Sequence, residues 1–157
     1  MEFTIRPLRE TDDVEQLTDW FGSVGEEWVP EYEPKPRSRE ENRRQLLAWM
    51  RGEGPGSCVL VAESGSPPRA VGFAACQLLG EAERGRRYGR IAVIYVTPEC
   101  RGQGLGHALK DAADNWCRQA GAAYMLAHIP IDNKAMLRVC KLLGYEPWLT
   151  TWVRRFD

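Results

Sequence analysis

Val96-Thr97-Pro98-Glu99-Cys100-Arg101-Gly102-Gln103-Gly104-Leu105-Gly106 is the stretch on which the fold turns. Before it, residues 88–96 form a β-rich run whose second half, Ile91-Ala92-Val93-Ile94-Tyr95-Val96, is apolar on both faces, as in a strand inside a sheet. After it, Leu105, Ala108, Leu109, Ala112, Ala113, Trp116, Cys117 and Ala120 recur at the helical period until Gly121 stops the run. Strand, short turn and long helix together aim main-chain N–H groups and the positive end of a helix dipole at one place. Gly102, Gly104 and Gly106 carry no β-carbon that would hold a diphosphate away. Three glycines also make a tight turn without any ligand, so the surrounding pattern must discriminate. A dinucleotide fingerprint requires a further parallel strand and an acid about 20 residues on, and a Walker loop ends in Gly-Lys-Ser/Thr; neither is present.

Outward from this turn the chain reads as alternating strands and helices. Residues 3–8 alternate apolar and polar, with Pro7 fitting an edge strand. Thr11-Asp12-Asp13 caps a helix carrying Val14, Leu17, Trp20 and Phe21, and residues 22–37 read as a loop or a broken turn of helix, of a length that is usually functional or mobile. Ser38 caps a second helix over 39–51. Residues 57–62 and 69–79 predict an antiparallel hairpin, 122–129 a strand, 133–143 a helix closed by Gly144, and 145–156 one or two terminal strands. The expectation is a single domain over 1–157, α/β in class, with a mixed sheet and helices on both faces.

Composition narrows the function. With 21 Lys and Arg against 22 Asp and Glu, the chain lacks the basic excess that non-specific nucleic-acid binding needs. No apolar run approaches the ~18 residues of a membrane span, and the start reads as a strand without a signal peptide, so the expected compartment is the cytoplasm. Cys58, Cys76, Cys100, Cys117 and Cys140 include no CxxC pair, which argues against a disulfide framework and a zinc site. No metal is expected.

The residues 96–106 resemble the strand-to-helix motif of the GNAT acetyltransferases, Arg/Gln-x-x-Gly-x-Gly/Ala after a strand ending in Val-x-Pro. The likeness extends to Ile5-Arg6-Pro7-Leu8 with Thr11-Asp12, to Val71-Gly72-Phe73, and to Asn133 with Gly144-Tyr145, in the family's order. It implies a GNAT-like fold, a mostly antiparallel sheet with one splayed parallel pair, and acetyl-CoA as co-substrate. By position, Arg101, Gly102, Gln103, Gly104, Leu105 and Gly106 would hold the pyrophosphate. Ile94 and Val96 would run beside the pantetheine arm, with the Val96 N–H as oxyanion donor. Asn133 would contact the coenzyme, act as a plain N-cap, or do both.

The resemblance implies direct attack of a primary amine, from a small molecule or a protein, in a ternary complex. It also marks departures. Where many relatives have a tyrosine as general acid, this chain has Cys140, which is either that acid or a core thiol; where some have a glutamate base it has Arg90. Tyr95 and Tyr124 are candidate substitutes, with Tyr95 expected to point to the other face of the sheet. The region holding Glu26, Glu27, Trp28, Glu31, Tyr32 and Glu33 would wall the acceptor site, where carboxylates beside rings favour a cationic amine, or else form a solvated acidic loop. Rival readings are a degenerate acyl-CoA-binding sensor or interaction module and a site for another nucleotide. The oligomeric state, a homodimer included, is left open.

Overall fold

The computed structural model describes residues 2–28, 37–53, 56–80, 85–150, 152 and 154, with the main chain alone for 25–28. The order is β1 (Thr4–Pro7), α1 (Val14–Trp28), α2 (Arg39–Met50), β2 (Ser57–Ser64), β3 (Arg69–Leu79), β4 (Tyr88–Val96), a 3-10 turn (Pro98–Cys100), α3 (Leu105–Gln119), β5 (Tyr124–Leu126) and α4 (Lys134–Leu142). The five strands form one sheet in chain order. β1 through β4 pair antiparallel, and β5 joins β4 in parallel. This is the mixed sheet that the sequence predicts.

Each sheet face has its own core. α3 lays Leu105, Leu109, Ala113 and Cys117 on Leu60, Ala62, Val71, Ala74 and Cys76. On the opposite face, Leu17 of α1 with Leu46 and Trp49 of α2 cover Val59, Val61, Phe73, Ala75 and Val93. The β3 residues Ala74 and Ala75 fall in different cores, as alternation along a strand buried on both faces requires. Burial of a side chain such as Phe73 or Leu109 contributes about 1.5–3 kcal/mol. Cys58 and Cys76 are opposite one another across β2 and β3, and the Cys76 thiol donates to Ala113 O of α3 at 3.9 Å. The neighbouring Cys117 and Cys58 thiols, with burial, push the Cys76 thiol up, and all three are free thiols packed as small hydrophobes.

Local signals account for most element ends. Ser38 accepts from Glu41 N–H while the Glu41 carboxylate accepts from Ser38 N–H, a complete capping box at α2. Arg6 in β1 reaches both Asp12 oxygens and Glu63 of β2, which fixes the edge strand and the entry to α1. Three expectations need correction. α1 does not stop at Phe21: Val24 continues the Leu17, Trp20, Phe21 stripe onto the core, and this packing overrides the cost of about 1 kcal/mol for each of Gly22 and Gly25. Glu26, Glu27 and Trp28 therefore lie on the last turn of a helix, whereas Tyr32 lies outside the described residues. β5 is three residues long instead of spanning 122–129. Residues 145–150 form no strand, and Trp148 and Leu149 are exposed at 77% and 80%. A terminal strand would need a pairing edge beyond β5, and three residues offer little of one.

Candidate functional site

The sheet comes apart beside β4. Tyr88, Gly89 and Arg90 pair with Tyr124, Met125 and Leu126, and from Ile91 onward β4 has no partner on that side among the described residues. The register with β3 shifts between Ala75 and Cys76, where Ala92 bulges out, just as the parallel pairing ends. Between the diverging chains lies a gap of about 150 Å³, lined by residues 91–94 of β4, 127–130 after β5, Asn133 and Met136 at α4, Lys110 of α3 and Val24 of α1. Gly89 makes the closed end possible: a β-carbon there would overlap the Met125 sulfur and Cys117.

Main-chain direction follows from one bond. Thr97 N–H donates to Val71 O of β3 at 3.0 Å. Successive N–H groups in a strand point to opposite edges, so those of Val96 and Ile94 face away from β3 and toward the open edge. Side chains divide as well. Ile91, Ile94 and Val96 pack on the α3 side, whereas Ala92, Val93 and Tyr95 pack on the α1 side. Tyr95 stacks on Trp20 with ring centroids 5.0 Å apart, and Tyr124 stacks on Tyr88 at 5.6 Å. Neither tyrosine is among the residues that line the gap.

The turn after β4 meets the start of α3 at the open end of the same strand. Gly104 is the N-cap with φ 85°, Gly102 has φ 75°, and a β-carbon at either would meet nothing within 4 Å, so the turn faces open space. Gly106 has no positive φ, and its β-carbon would make ordinary contact with Val96, so its role is proximity rather than conformation. The N–H groups of Gly104, Leu105 and Gly106 have no acceptor among the described residues, and no side chain caps the helix. Free N–H groups at a helix start favour a negative charge. Gln103 Nε2 donates to Glu99 O at 3.0 Å and braces the turn. Arg101 Nε donates to Val96 O at 3.0 Å, with its guanidinium 5.8 Å from the Tyr95 ring centroid, so its side chain ties down the strand end.

At α4, Asn133 caps the helix, its oxygen accepting from Met136 N–H at 3.1 Å, and it also lines the gap. Cys140 is buried away from the gap lining, and its thiol is pushed up by that burial. Beside it is a cluster that pattern reading overlooked. Lys110, 1% exposed, sets its Nζ 3.2 and 3.3 Å from the Asp114 oxygens and 3.6 Å from the Tyr145 ring centroid. Tyr145 donates its hydroxyl to Asp114 at 2.8 Å, and burial followed by that bond pushes the phenol well above its usual range. The signal was present: Lys110 stands four residues after Gly106 and seven before Cys117, the only cation on the buried stripe of α3. Among the described residues no group of His, Cys, Asp and Glu could hold a metal ion, and no helix is long and apolar enough to cross a membrane.

The fold is shared with known proteins. The family model for GNAT acetyltransferases matches residues 21–145. A mycothiol acetyltransferase of Kocuria rhizophila is 29% identical over 105 residues, covering 67% of this chain and 34% of that protein, so the chain spans about a third of that relative's length. Glucosamine-6-phosphate N-acetyltransferase from Arabidopsis thaliana superposes over 100% of both chains with a TM-score of 0.70 at 18% identity. AAC(6')-Iy in complex with the bisubstrate analogue CoA-S-monomethyl-acetylneamine gives a TM-score of 0.69 at 16% identity, over 100% of this chain and 99% of that one. The family uses acetyl-CoA, and the turn, the open strand edge and the gap are the parts of this fold that suit a diphosphate on a long flexible arm. By the reach of that match, the chain belongs to the GNAT family of acetyltransferases.

Proposed function

We propose that this chain is an acetyl-CoA-dependent N-acetyltransferase that moves the acetyl group to a primary amine by direct attack in a ternary complex. The observation that carries the reading is the bare start of α3, with N–H groups at Gly104, Leu105 and Gly106 free of acceptors among the described residues and continuous with the unpaired edge of β4. The pyrophosphate would sit on the amides of Gln103 to Gly106, where the dipole of a 15-residue helix adds to the hydrogen bonds. Pantetheine amides would pair with Ile94 and Val96 as an added strand does. That leaves the thioester in the gap, with a Val96 N–H to stabilise the oxyanion as the amine adds.

The acceptor enters from the α1 side, where Val24 already lines the gap. Glu26, Glu27 and Trp28 follow on the same helix, with Tyr32 shortly beyond. Carboxylates and rings there favour a cationic amine, and a carboxylate or a water would take the proton it must lose. The mycothiol acetyltransferase relatives are compatible with a small-molecule amine as acceptor.

One observation favours a second reading. Cys140 occupies the position of the family's tyrosine yet lies outside the gap lining, as in a chain that binds acyl-CoA without turnover. Thiol release from acetyl-CoA with a panel of amines separates the two. A transferase liberates free thiol with at least one amine at a rate that saturates in both substrates. Saturable thermal stabilisation by acetyl-CoA with no thiol from any amine leaves the binding module.

A further inference from the structure

We propose that Lys110 is the cation that receives the departing coenzyme thiolate; the proposal rests on the reading of the gap as the acyl-CoA site. Three observations lead there. Lys110 lines the gap although it shows only 1% of its surface to solvent, so its ammonium acts across a medium of low dielectric. It is held in place by Asp114, one helical turn on, and by the face of Tyr145. It also lies beside Cys140, the residue at the position of the family's tyrosine, within electrostatic reach of that thiol. A cysteine there is too short to reach the gap, and a lysine from the neighbouring helix reaches it.

Tyr145 is part of the device. Gly144, at φ 79°, ends α4, and Tyr145 N–H returns to Cys140 O at 2.9 Å, which swings the ring back over Lys110. The two Asp114 contacts, at 3.2 and 3.3 Å, are long for an ion pair, and another side of the ammonium rests on the ring face of Tyr145 at 3.6 Å from its centroid. A thiolate can displace that face. In the step, the acceptor nitrogen forms its bond to the acetyl carbon and gives one proton to water or a carboxylate. The C–S bond breaks with its electron pair on sulfur. The thiolate pairs with Lys110 and takes a proton from water on release, so the lysine keeps its own.

The test is the titration of CoA bound to the full chain, read by the ultraviolet absorbance of the thiolate. The groups facing Lys110 are Asp114 and Cys117 of α3, Cys140 of α4 and Tyr145, and His128 lines the same gap. All are retained in Lys110→Met. In the wild-type chain the bound thiol titrates about one unit below free CoA, a tenfold gain in thiolate below both values. Lys110→Met abolishes that difference, whereas Lys110→Arg, which keeps the charge, preserves it. With hydroxylamine as a generic acceptor, Lys110→Met lowers kcat about 100-fold with KM for acetyl-CoA little changed. A bound thiol titrating at or above free CoA in the wild type overturns the proposal, as does a Lys110→Met profile equal to it. Should Lys110→Met not fold, Lys110→Met with Asp114→Asn removes the pair together, and the wild-type titration stands by itself. Failure of CoA to bind the wild type at all overturns the coenzyme reading; binding with an unshifted thiol overturns the role of Lys110 alone.

Discussion

β4 has two edges with different fates. On its β3 side it is paired from Tyr88 to Val96, and on its β5 side only from Tyr88 to Arg90. The paired side belongs to the ordinary economy of folding, with main-chain groups satisfied across the ladder and Phe73, Ala74 and Ala75 fully buried. The other side leaves N–H groups of Ile94 and Val96, and then those at the start of α3, turned toward open space. The candidate site is where this sheet stops pairing with itself. Its charged residues follow suit, since Lys110 and Asp114 stand beside the gap while the side chains that α1 and α2 bury, Thr18 and Asn42 among them, are uncharged.

Substitutions on the open side should damage binding, and those on the paired side stability. The largest effect expected is from Gly104→Arg. A left-handed φ costs a side chain about 1–2 kcal/mol, and the space around Gly104 is open, so the protein folds. Its side chain then occupies the proposed diphosphate position, and calorimetry should show CoA affinity falling at least about 1,000-fold, roughly 4 kcal/mol. Gly89→Val comes next, because its β-carbon would overlap Met125 and Cys117 where the two sides part. Overpacking there should cost about 3 kcal/mol in urea unfolding.

Arg6→Met acts at the far edge of the paired side and should cost about 2 kcal/mol near neutral pH, with CoA affinity unchanged. It also carries a pH signature. Hydrogen bonds from Arg6 are the main cause holding Asp12 and Glu63 below the ordinary carboxylate range. A depressed folded-state pKa gives stabilisation that is present above the unfolded values, about 4, and lost as pH falls through the folded ones. The gap between wild type and Arg6→Met should therefore close on acidification below about pH 4. Urea unfolding followed from neutral to acidic pH checks this, and a gap constant with pH contradicts it. The smallest effect is that of Ser38→Ala, which removes the α2 cap for about 1 kcal/mol of stability and nothing in binding.

The same contrast explains what the sequence made legible. Elements of the paired side follow from local patterns: Ser38 and Glu41 mark the start of α2, two β-rich runs around a Gly and Pro loop mark β2 and β3, and Gly121 marks the end of the α3 region. The turn at 101–106 was legible because glycine spacing and helix onset are local as well. What failed depends on distant contacts. The extension of α1 past Gly22 depends on Val24 meeting the sheet, and the shortness of β5 depends on how far β4 lets it run. The Lys110, Asp114 and Tyr145 cluster joins α3 to a residue 31 positions beyond Asp114, which no window along the chain would connect. Cys140 shows the limit of inference by position, for its place in α4 was legible and its distance from the gap lining was not.

Calorimetric titration of the wild-type chain with acetyl-CoA, with ATP and NAD as competitors, tests the central claim most directly. Saturable binding of one acetyl-CoA per chain, undisturbed by either competitor and abolished by Gly104→Arg, is the predicted result. ATP or NAD binding more tightly than acetyl-CoA, or acetyl-CoA affinity left intact in Gly104→Arg, would contradict it.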